Sequence, residues 1–122
     1  MKFFNAVICA AILAPSSTTV GHANEGINIS VKSLAMTVAQ INVASESCDI
    51  APRAGLRAGV YDALAPVPDI DMTSVVEAFV NEQTIENSLS DSICDANSAK
   101  HLETLYSIYD RSLRDLKRRI AE

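Results

Sequence analysis

The sequence predicts an all-α protein: a small single-domain helical bundle of about four helices tied by one disulfide. Three observations predict it. Apolar residues recur at steps of three and four in successive stretches, two cysteines remain once an apolar leader is set aside, and the rest of the chain suits one core rather than two. No internal repeat, low-complexity tract or linker divides it.

The leader comes first. Lys2 precedes an apolar run from Phe3 to Ala14 that only Asn5 interrupts. A run of about a dozen residues is shorter than the roughly 20 a membrane-spanning helix needs. A basic residue, an apolar run and then small residues, in that order, mark a cleavable signal peptide. Gly21 and Ala23 supply the small side chains, so cleavage is expected after Ala23, with residues 1–23 as leader and 24–122 as the helical domain. The expected location is periplasmic or secreted. Cys9 leaves with the leader. Cys48 and Cys94 then form an even pair in an oxidising compartment, where a structural disulfide is the default reading. The chain-entropy account gives about 4 kcal/mol for so long a closed loop.

Val31, Leu34, Ala35, Val38, Ile41 and Ser45 share one face of a first helix, with Cys48 in phase just beyond. The alternation of Ile27, Ile29 and Val31 leaves a short strand as the weaker alternative there. A second helix is expected from Pro52 to Ala65 on Leu56, Val60 and Leu64. Pro52 fits a first turn, Pro66 and Pro68 stop the helix, and Gly55 and Gly59 weaken it. Val75, Val76, Phe79 and Val80 open a third helix, for which Ser74 and Glu77 make a capping box. Ile85, Leu89 and Ile93 continue that stripe with angular drift, which predicts a bend or break near Asn81 to Thr84, and Cys94 falls near the helix end. The last helix carries the strongest periodicity. Leu102, Tyr106, Tyr109, Leu113, Leu116 and Ile120 follow at steps of 4, 3, 4, 3 and 4, Leu105 widens the stripe, and Asn97 or Ser98 caps the start. Such a stripe faces a core or a partner; with Arg111, Arg114 and Arg118 it forms the candidate interaction surface.

Charge is segregated along the chain. The sequence has ten Lys and Arg against fifteen Asp and Glu, net −5. That balance argues against a nucleic-acid partner. Between Arg57 and Lys100 no basic residue occurs, while Asp62, Asp69, Asp71, Glu77, Glu82, Glu86, Asp91 and Asp95 do. Arg111, Arg114, Lys117, Arg118 and Arg119 then crowd the end against Asp115 and Glu122. A solvated face is the ordinary meaning of such runs. The functional meaning is a surface whose carboxylates repel at neutral pH and discharge in acid.

No catalytic signature is present: no Gly-x-Ser-x-Gly, Walker loop, His-Glu-x-x-His or Cys-x-x-Cys. His101 is the sole histidine outside the expected leader, too few for a zinc site with the two thiols. Asp69-Ile-Asp71-Met-Thr73 opens like a calcium loop, but Ser74 and Val80 stand where its glycine and bidentate glutamate belong, so it reads as a turn leading into a helix. The expectation is therefore a non-enzymatic protein with no cofactor and no metal.

A leader, Cys48 before a helix, an acidic middle, Cys94 at a helix end and a basic amphipathic last helix make a layout, from Cys48 to Ile120, that resembles the small periplasmic HdeA-type proteins. The chain departs from the chaperone members in lacking tryptophan, in having few lysines and in its long apolar segment before Cys48. The resemblance implies a helical, often dimeric domain. In the chaperone branch such a domain opens at low pH and covers client hydrophobic surfaces. The primary expectation is an exported binding or chaperone-like protein, acid-responsive, with a protein partner or client. The alternatives are an inhibitor or immunity protein of an extracytoplasmic enzyme, and an accessory subunit of an envelope assembly with peripheral membrane contact.

Overall fold

A computed structural model describes residues 2–89 and 93–122, with side chains described from Glu25 onward. Four helices form: α1 Lys2–Ser47, α2 Leu56–Leu64, α3 Met72–Leu89 and α4 Ser98–Ala121. Among the described residues there is no strand, and Ile27 to Val31, the alternative strand, lies within α1. Met1, Asp91 and the side chains of residues 2–24, including Cys9 and the expected cleavage position Ala23, lie outside the described residues.

From Glu25 onward α1 is the strut of the bundle. It packs extensively on both α3 and α4, which share no comparable contact with each other. Asn28 of α1 lines a hollow with Ile70 and Asp71, at the start of α3, and Val43 and Glu46 line another with Asn87 near its end, so α1 and α3 run parallel. The Asn42 amide donates to Gln83 Oε1 at 2.9 Å between them. Helix α4 runs the other way, with His101 beside Ala44 and Arg119 against Gly26. The short α2 packs on α4 and α1. Leu34, Ile41, Val60, Leu64, Phe79 and Leu116, at most 1% exposed, form the centre that the four helices share.

Three local expectations are corrected. Helix α2 begins at Leu56, not Pro52, because Gly55 adopts φ 79°, a left-handed conformation that interrupts a right-handed helix. At α3 the cap is Asp71, not Ser74. Its carboxylate accepts from the Ser74 amide at 3.3 Å and from the Ser74 hydroxyl at 2.8 Å, so Ser74 already lies inside the helix. Nor does α3 break near Asn81 to Thr84: it runs unbroken to Leu89, and Cys94 sits in the connection to α4 rather than at the helix end. An unbroken helix turns by roughly 100° per residue, so Ile85 is carried about 120° round from Phe79, off the buried face.

Gly59 weakens helix propensity, yet the tertiary structure requires it. The buried Tyr109 hydroxyl donates to the Leu56 carbonyl at 2.5 Å, and a Cβ on Gly59 would stand 2.8 Å from that oxygen. Gly59→Ala should therefore destabilise by about 1 kcal/mol net. Overpacking costs roughly 1–3 kcal/mol and the propensity gain returns about 1. Urea unfolding checks this, and in a Tyr109→Phe background, where the crowded oxygen is gone, the same change should be neutral or stabilising.

Candidate interaction surfaces

Each expected surface residue can now be placed. Leu102, Tyr109 and Leu116 are buried, and Tyr106, Leu113 and Ile120 are partly buried against the same core. The apolar half of the candidate surface is thus consumed by packing on α1 and α2, and in the folded chain it is not a docking face. Arg111, Arg114 and Arg118 are exposed on the far side, together with Lys117 and Arg119. Burial pushes the Tyr109 phenol above its ordinary pKa.

Cys48 and Cys94 are bridged, with Cα atoms 5.0 Å apart, joining the end of α1 to the α3–α4 connection. A second fastening holds the segment after Cys48. The Arg53 amide donates to the Tyr106 hydroxyl at 2.9 Å, its guanidinium lies 4.5 Å over the Tyr106 ring, and Nη1 pairs with Asp110 at 2.8 Å. The hydrogen bond to Asp110 holds the Arg53 pKa above its ordinary value. The other ion pair among the described residues joins Arg118 to Asp115. The α4 start is capped by neither expected route alone. Asn97 makes no side-chain cap, while Ser98 Oγ accepts the Asp95 amide at 2.8 Å and Asp95 Oδ1 accepts the Asn97 amide at 2.9 Å.

The acidic residues line the opposite flank of α1, with Glu77 exposed and Glu82 and Glu86 partly buried on α3. Between them stand apolar side chains that the periodicity assigned to the core. Val76 is 41% exposed, Val80 48%, Ile85 48%, Leu89 71% and Ile93 82%. On one straight helix the angular offset from Phe79 exposes Ile85, whereas Leu89 is exposed at the last residue of α3. Leu89 and Ile93 also wall an open groove of about 650 Å³ at the disulfide end, floored by Val43 and Ala44 of α1 and edged by Glu86, Asp95 and His101. A second groove along α1 and α3 places Lys32 among Glu77, Glu82 and Ile85.

His101 is exposed at the groove edge. Among the described residues no three His, Cys, Asp or Glu side chains stand together as a metal site, and no helix is long and apolar enough to cross a membrane. Asp71 is held below the usual carboxylate pKa, first by the Ser74 hydroxyl and then by the Ser74 amide. The surfaces thus offer recognition chemistry: an acidic, partly apolar flank on α3 and a basic one on α4. In comparisons with known proteins, the chain matches no family, no characterised protein and no solved structure.

Proposed function

We propose that this chain is an exported, non-enzymatic binding protein of chaperone-like, acid-responsive type, which covers apolar surface on a protein client with α3 and the groove at the disulfide end. One observation carries this reading: Ile85, Leu89 and Ile93 are exposed beside Glu82 and Glu86, along the α3 edge that leads into the groove at the disulfide end. Exposed apolar side chains gathered on one side mark an interaction site. At neutral pH the interspersed carboxylates keep that flank hydrated and self-repelling. With that charge removed, the apolar groups dominate the flank. The basic side chains near this flank are few: Lys32 from α1 and Arg57 of α2, over the Phe79 ring at 5.5 Å; the His101 imidazole stands at the groove edge. The layout shared with HdeA-type proteins supports the same reading.

The Asp71 cap sets an order for the acid response. A carboxylate with a depressed folded-state pKa adds stability above its unfolded value and loses it as pH falls through the folded value. Asp71 is such a group, so the start of α3 keeps its cap until the pH falls below the usual carboxylate range. The test is hydrophobic-dye binding and suppression of client aggregation, followed from about pH 7 to about pH 2. Both should rise as the pH falls, and Leu89→Ser with Ile93→Ser should blunt the rise. Flat responses in both assays would overturn the reading. A stoichiometric complex captured from envelope extract at neutral pH, together with flat responses, would favour the inhibitor or immunity role instead.

A further inference from the structure

We propose that the outer face of α4 is a docking surface for an anionic lipid bilayer. The proposal goes beyond client binding and does not depend on it. On a helix turning about 100° per residue, Arg111, Arg114 and Arg118 fall within about 60° of one another, on the side opposite the Leu102, Tyr109 and Leu116 stripe. All three are exposed, and Lys117 and Arg119 flank them. Asp110 is engaged by Arg53 and Asp115 by Arg118, and with Glu122 also on this side the five basic side chains still outnumber the carboxylates, so the face carries a cationic excess. The acidic α3 packs on α1 and makes no comparable contact with α4. The bundle therefore presents a basic side and an acidic side, and an anionic surface attracts the first while repelling the second.

Position favours a membrane over a soluble anion. Arg119 Nη1 lies 3.3 Å from where a Gly26 Cβ would stand, so the basic end of α4 sits beside the point where α1 joins the bundle. The apolar run Phe3 to Ala14 precedes that point in the chain; the placement rests on the exported reading proposed above, in which the leader brings the start of the domain to the bilayer surface. Long arginine stems suit such a surface, since they lie along apolar matter while the guanidinium stays among headgroups. Docked in this way, the protein turns the α3 flank toward solvent.

The experiment is co-sedimentation of the purified exported protein at neutral pH with vesicles of phosphatidylglycerol in phosphatidylcholine, and with phosphatidylcholine alone. Binding is expected only to the anionic vesicles at about 50 mM salt, with loss at about 500 mM, where screening is complete within a few ångströms. Each cation near an anionic surface contributes about fivefold, so Arg111→Gln, Arg114→Gln and Arg118→Gln together should weaken binding about 100-fold. The matching triple change to lysine should retain it, because a bilayer reads charge rather than guanidinium geometry. These positions are exposed, and unchanged helicity confirms that the variants are folded. Equal binding to neutral vesicles, undiminished binding of the glutamine variant, or no sedimentation with anionic vesicles at low salt would each overturn the proposal. Loss of binding in the lysine variant would overturn it too, in favour of a specific anionic ligand.

Discussion

Replacing Cys48 and Cys94 by serine should lower the unfolding free energy by about 4 kcal/mol and the midpoint temperature by roughly 15–30 °C. The bridge spans 46 positions, a loop enclosing all of α2 and α3. In the chain-entropy account the serine protein gains that loop freedom only when unfolded, so its native far-UV signal should match the wild type while its urea midpoint drops. Wild-type protein in reductant should coincide with the double serine variant. Local fastening limits how much the native state relaxes. Arg53 still ties the segment after Cys48 to Asp110 and Tyr106 when the bridge is absent. A shift worth under about 1 kcal/mol, well outside the usual 2–5 for a small disulfide-bonded domain, would show that the unfolded chain is already compact between the two cysteines.

Phe79→Ala is expected to cost about 3–5 kcal/mol, the most of any single core truncation here. Phe79 is the largest fully buried side chain, 1% exposed, and meets the Tyr61 ring edge-on at 5.5 Å while Arg57 covers it from α2. Removing it empties the junction between α2 and α3. Val76→Ala, three residues away but 41% exposed, should change stability by no more than about 0.5 kcal/mol. Chemical denaturation of the pair decides the matter. Similar costs for both would mean that the α3 face carrying Val76 is buried against a neighbouring helix rather than turned to solvent.

The contrast between these two positions shows how far periodicity carries. Four apolar stripes separated by turn residues were enough to identify four helices, and the α4 stripe was legible in detail, because steps of 4, 3 and 4 admit one buried face. The third stripe misled because Phe79 and Ile85 are both apolar, and composition alone does not say which of two faces a helix turns inward. Their burial, 1% against 48% exposed, is set by where α1 lies. The same limit hid the true status of the candidate surface on α4. Its spacing described a face, and only the presence of α1 and α2 against it made that face core.

Two glycines and one aspartate mark the remaining boundary. Gly55 read as a weakness within a helix, yet its left-handed backbone is what delays α2 until Leu56. Gly59 read the same way, yet it is the space the Tyr109 hydroxyl occupies. The sequence places Asp71 in a turn and offers Ser74, three residues later, for the capping role that Asp71 performs. The sequence by itself determined the helical class, the helix count, the cysteine pairing and the segregation of charge along the chain, since these follow from local periodicity and from which side chains occur where. The tertiary structure alone decided which apolar residues stay exposed, why Gly59 must be small, and that the acidic and basic helices lie apart on the central α1. Those depend on contacts between residues distant in sequence, and no local pattern encodes the position of a neighbouring helix.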